Sequence, residues 1–129
     1  MTEEEFKNRT KQIALRIIKL VDSLPRSSSA NTIAKQLLRS GTSIGANYRA
    51  ACRGKSPADV IHKLSIVEEE GDESIYWMEL LVESGIVSEK MLSPLISDVN
   101  EIVAMTVSSI KTLRQRQSQS KIQNLKSKI

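Results

Sequence analysis

Apolar residues recur along this chain at three- and four-residue intervals. Phe6, Ile13, Ile17, Leu20 and Leu24 share one helical face, which predicts a first helix from about Thr2 to Leu24. Thr2 suits its N-cap, Glu3, Glu4 and Glu5 suit the positive end of its dipole, and Pro25 ends it. Ile33, Leu37, Ile44, Tyr48 and Ala51 predict a second helix from Ser28 or Ser29 to about Arg53. A third is expected from Pro57 to Ser84, with Ser56 as N-cap, Pro57 at the first position and Gly85 just past its end. Its core stripe is Val60, Ile61, Leu64, Val67, Gly71, Ile75, Met78, Leu81 and Val82. Leu92, Leu95, Val99, Ile102, Thr106, Ile110 and Leu113 predict a fourth helix from about Ser88 to Gln117, with Pro94 tolerated near its start. Short connections between amphipathic helices, and no strand candidate, predict an all-α, antiparallel up-and-down four-helix bundle. The bundle is expected over residues 1–118. Residues 119–129 are expected to be a basic C-terminal tail or the end of helix four, extended or frayed, since Ile122, Leu125 and Ile129 keep helical spacing.

Residues 41–56, GTSIGANYRAACRGKS, test this assignment, because they end in the Gly-Lys-Ser of a phosphate-binding loop. That loop needs a glycine at position 49, and Arg49 stands there. No strand precedes the stretch, and Gly41, Gly45 and Gly54 do not fit a dinucleotide-binding fingerprint. Gly41 and Gly45 fall inside helix two, where each costs about 1 kcal/mol against alanine. They are expected to let a neighbouring helix approach closely, and Gly54-Lys55-Ser56-Pro57 is expected to be a turn.

Charge adds a second layer. The net charge of +4 conceals a segregated distribution. Residues 7–63 carry twelve Lys or Arg and two acids; residues 68–101 carry ten acids and one base; residues 111–129 carry six bases and no acid. Lys35, Arg39, Arg49 and Arg53 lie on the polar side of helix two, and Lys111, Arg114 and Arg116 near the end of helix four. These cations can pair with acids of helix three, such as Glu69, Glu70 and Glu73, within or between subunits. They can also bind nucleic-acid phosphates, or stand solvated. Helix three carries Ile66, Trp77 and Leu80 away from its main stripe, with His62 and Glu73 among them. In a lone protomer this face is expected to meet water, so Ile66, Glu73, Trp77 and Leu80 are candidates for a subunit interface.

Candidate catalytic chemistry is sparse. His62 is the only histidine, too few for a di-iron bundle, whose signature needs two Glu-x-x-His pairs and two further glutamates. Cys52, the only cysteine, excludes an internal disulfide and reads as a small buried residue. No nucleophile-elbow pattern is present. With four aromatic residues, a base-stacking platform is not expected, so nucleic-acid binding would be electrostatic. No cofactor, metal or enzymatic activity is expected. With no apolar run of about 18 residues and no secretory leader, neither is a membrane span, and a cytoplasmic setting is.

The block RSGTSIGANYRAACRGKSPADVIHKLSIVEEEGDESIYWMELLVESGIV, residues 39–87, resembles the four-helix bundle proteins of the 23S rRNA intervening-sequence protein family. Ser43-Ile44-Gly45-Ala46-Asn47 and the segment from Glu73 to Leu81 carry it most specifically. The resemblance implies a homopentamer with a central channel. The family is also similar to the basic accessory pentamers of diversity-generating retroelements, which work with a reverse transcriptase and nucleic acid. The resemblance carries over no catalytic residue. Expected partners are further copies of the chain, RNA or DNA, or alternatively a partner protein bound without any nucleic-acid role.

Overall fold

The computed structural model describes residues 1–127. Its helices are α1 (Glu3–Ser23), α2 (Ser28–Cys52), α3 (Pro57–Glu83) and α4 (Glu89–Ser127), and among the described residues there is no strand. Local chemistry sets the starts. The Thr2 hydroxyl accepts from the Glu5 amide at 3.1 Å, and the Glu5 carboxylate accepts from the Thr2 amide at 3.3 Å. Ser27 caps α2 by accepting from the Ala30 amide, and Ser56 caps α3 by accepting from the Asp59 amide. The Ser88 hydroxyl accepts from the Met91 amide at the start of α4. Gly85, at φ +79°, ends α3 in the left-handed conformation open to glycine, and the Val87 amide reaches back to the Leu81 carbonyl at 3.1 Å.

Short turns make successive helices antiparallel, and the chain is an up-and-down four-helix bundle. Each helix packs on the next along the chain. The seam between α1 and α4 is thinner, and α1 and α3 stand at diagonal corners without direct packing. The core is aliphatic: Ile17, Leu37, Ile44, Val67, Met78, Leu81, Val99 and Ile102 are wholly buried. A smaller cluster of Ala51, Ile61, Leu64 and Ile110 fills one end. Buried hydroxyls are satisfied locally, Thr106 by the Ile102 carbonyl at 2.7 Å and Ser74 by both the Glu70 carbonyl and the Ser40 hydroxyl. The thin α1–α4 seam is bridged by ion pairs, Arg9 to Glu101 at 3.0 Å and Arg16 to Asp98.

Glycines mark where helices come closest. A Cβ on Gly41 would stand 2.3 Å from Ile17 Cδ1 of α1, and one on Gly45 would stand 3.1 Å from Thr10 Oγ1. A Cβ on Gly71 would stand 2.4 Å from Val103 Cγ2 of α4. Gly54 lies in the turn between α2 and α3, donating to the Ala51 carbonyl at 3.0 Å. The Gly-Lys-Ser segment therefore follows a helix and forms a turn.

Helix α4 runs ten residues beyond the expected end at Gln117, without a break, to Ser127. At 39 residues it is about 58 Å long, against about 32–40 Å for the 21–27 residues of the others. It therefore projects past the bundle, and residues 118–127 are exposed throughout. No proline or glycine follows Pro94 to break the helix before Ser127. No helix among the described residues is long and apolar enough to cross a membrane.

Candidate functional site

Of the four candidate cations on α2, Arg39 alone has an ion-pair partner among the described residues. Its guanidinium reaches Glu70 at 3.1 Å and also pairs with Glu73. Glu73 in turn accepts from Trp77 Nε1 at 3.2 Å. The Arg39 hydrogen bond, with help from Trp77, holds the Glu73 carboxyl below the usual range, although partial burial opposes the shift. Glu69 lies outside this pairing. Lys35, Arg49 and Arg53 are exposed and form no ion pair among the described residues.

One of these cations, Arg49, lines a groove between α1 and α2. It has a volume of ≈ 550 Å³ and is lined by Lys7, Lys11, Ala14, Thr42, Gly45, Ala46 and Arg49, with Glu4, Asn8 and Thr10 completing it. Small residues make the groove, since Ala14, Gly45 and Ala46 leave its floor without bulk. Lys7 is occupied by Glu3 and Glu4 of its own helix, at 3.3 and 3.5 Å. Helical spacing aligns Lys35, Leu38, Thr42, Arg49 and Arg53 along one side, and Lys11, Ala14 and Ile18 along the other. Ile18 and Leu38 are each 38% exposed.

The candidate interface residues of α3 sit differently from the sequence expectation. Trp77 and Leu80 are half-buried and packed against the main core, and Ile66 is half-buried as well. The reason is packing by the neighbouring helices, which a wheel of α3 alone omits: Trp77 and Leu80 lie against the main core. The most exposed aromatic is instead Tyr76, at 53%, with its ring edge-on to Trp77. Asp72, Tyr76, Glu79 and Glu83 follow one another at spacings of four, three and four, forming an outward ridge with Glu69. These acids have no ion-pair partner among the described residues. That spacing was visible in the sequence and was the signal for the ridge.

The third surface is the end of α4. Lys111 and Arg114 line a second groove of ≈ 700 Å³ with Glu68 and Val107, and Arg116 is exposed just beyond. The projecting turns add Lys121 and Lys126, with Ile122 and Leu125 exposed among them.

Residues with chemical potential do not converge. His62 is exposed on α3. Cys52 is half-buried beside Tyr48 and Glu3; burial chiefly pushes its thiol up, as does its contact with Glu3, so it keeps its proton at neutral pH. Burial also pushes the Tyr48 phenol well above its usual value, its ring lying 4.1 Å from that of Phe6. Among the described residues, no group of three or more His, Cys, Asp or Glu could hold a metal ion.

Fold and surfaces define an all-α bundle that keeps its polar chemistry on grooves and ridges. The family model for the 23S rRNA-intervening sequence protein matches residues 3–108, and the chain belongs to that family. It is also similar to a crystal structure of a protein with unknown function from the S23 ribosomal protein family of Bacteroides thetaiotaomicron. The two are 37% identical over 86% of this chain and 99% of that one, with a TM-score of 0.79. A search of curated proteins found no match. The family match ends before the basic end of α4 begins.

Proposed function

We propose that this protein is a non-enzymatic, self-assembling bundle, a homopentamer by its family resemblance, that holds nucleic acid through phosphate contacts. The observation that carries the reading is the end of α4. Lys111, Arg114, Arg116, Lys121 and Lys126 stand there without an acid after residue 110, on a helix that projects from the bundle. Repeated around a ring, these ends form a multivalent cationic surface that recognises phosphate spacing and ignores base sequence.

Salt titration of RNA and DNA binding tests this. Wild-type affinity should fall steeply with salt, and Lys111→Ala with Arg114→Ala should weaken binding and flatten the slope in proportion to the phosphates lost. No binding at low salt overturns the reading. A salt-independent partner favours a second one, a protein-interaction module without nucleic acid, for which the exposed Ile122 and Leu125 are the supporting observation.

A further inference from the structure

The face around the α1/α2 groove and the ridge of α3 are complementary in charge, and each exposes apolar side chains. Lys11 and Arg49 line the groove over a floor of small residues, with Glu4 as an acid at one end, and the exposed Lys35 and Arg53 continue the cationic row beyond it at helical spacing. The ridge carries Glu69, Asp72, Glu79 and Glu83 around the protruding ring of Tyr76. Lys35 to Arg53 spans about 27 Å of helix and Glu69 to Glu83 about 21 Å, so the two surfaces match in length. They cannot meet within one chain, because α3 stands diagonally across the bundle from α1 and its outer ridge faces away from it.

We propose that the α1/α2 groove of one copy receives the α3 ridge of a second copy, in a head-to-tail contact. This rests on the assembly reading above and specifies how the copies join. Tyr76 supplies the apolar centre, packing toward the exposed Ile18 and Leu38. The flanking acids pair with the cations of the groove rim. The sign of the charges selects the geometry: groove on groove and ridge on ridge both oppose like charges, which excludes a two-fold contact through either face. Each copy then offers one groove and one ridge, the condition for a heterologous interface that closes into a ring. Nucleic acid is the poorer occupant of this face, because Glu4 lines the groove, Lys7 is already paired with Glu3 and Glu4, and the exposed Ile18 and Leu38 beside the groove offer phosphate no partner. On this assignment the α2 cations serve assembly, and the α4 end remains for phosphate.

Complementary charge reversal tests the contact. One variant carries Arg49→Glu and Arg53→Glu, the other Asp72→Lys and Glu79→Lys, all at exposed positions. Light scattering on a sizing column should give a multi-chain mass for the wild type and a single-chain mass for each variant, with helical circular dichroism retained. A chain that carries all four substitutions should regain the multi-chain mass, since every junction then pairs opposite charges again in a ring of any size. An unchanged mass in either two-residue variant, or no recovery in the chain that carries all four substitutions, overturns the contact. A second test needs no reversal of charge. In a Cys52→Ser background, Leu38→Cys with Tyr76→Cys should give intermolecular disulfides on mild oxidation, and solely monomeric product overturns the contact. A single-chain wild type sinks the assembly reading itself, whereas an assembled wild type with unaffected variants sinks this contact alone. Reduced RNA binding by the first variant at unchanged mass would assign the groove to phosphate instead.

Discussion

The guanidinium of Arg39 and the carboxylate of Glu73 join α2 to α3 at the surface of the bundle, and Glu73 also accepts the indole N–H of Trp77. One carboxylate thus fixes both a cation and an aromatic ring. Its acidity has a consequence for pH. The folded-state carboxyl is depressed, so between the folded and unfolded values the unfolded chain binds more protons and stability rises with pH. The contribution is complete above the ordinary carboxylate range and is lost as pH falls through the folded value. Glu73→Gln should lower the urea midpoint at neutral pH, with the gap from wild type closing in acid. A gap that stays constant down to strong acid would contradict this. Both partners are partly exposed, so the effect should also shrink in high salt.

A different constraint acts at Gly71. Alanine there recovers about 1 kcal/mol of helix propensity. Its Cβ, however, meets Val103 Cγ2, and the β-branched valine has little rotamer freedom within a helix. Overpacking of this kind costs about 1–3 kcal/mol, so Gly71→Ala should be net destabilising by up to about 2 kcal/mol. Combining it with Val103→Ala should recover part of that loss in a double-mutant cycle followed by denaturant melts. Additive losses would show that the two sites do not meet.

Helix number, order and the limits of the first three helices were legible in the sequence because caps, prolines and periodicity agreed: Thr2, Ser56, Pro25 and Gly85 each mark a boundary that the structure keeps. The surfaces were less legible. A wheel drawn for α3 alone places Trp77 outward, but exposure depends on how the neighbouring helices sit, and Trp77 packs against the shared core. The same limitation hid the groove, whose floor is shared by Ala14 of one helix and Gly45 of another. Its parts lie some thirty residues apart, and only packing unites them. The length of α4 was ambiguous for another reason: Ile122 and Leu125 keep helical spacing in a stretch with nothing to bury them.

Cys52 should behave as a sheltered thiol. Burial raises its pKa, so the thiolate fraction near neutral pH is smaller than in the unfolded chain. Iodoacetamide labelling of the folded protein should be several-fold slower than in urea, and the difference should narrow as pH rises above the ordinary thiol value of 9.0. Equal rates in both states at neutral pH would show that the thiol is not protected.

The projecting end of α4 separates stability from binding. Residues 118–127 are exposed along their whole length, and the last buried residue of the helix is Ile110. An isolated helical end of this length gains little from its own backbone bonds, because helix stability in water comes mainly from packing. A chain ended after Gln117 should therefore keep the denaturation midpoint of the full protein while losing Lys121 and Lys126. Phosphate binding at low salt should weaken, and its salt slope should fall, while the assembled mass stays the same if the joint lies between the α1/α2 groove and the α3 ridge. A loss of mass on truncation would instead place the projecting turns in the subunit contact. A drop in the midpoint would mean that they pack on the bundle in solution.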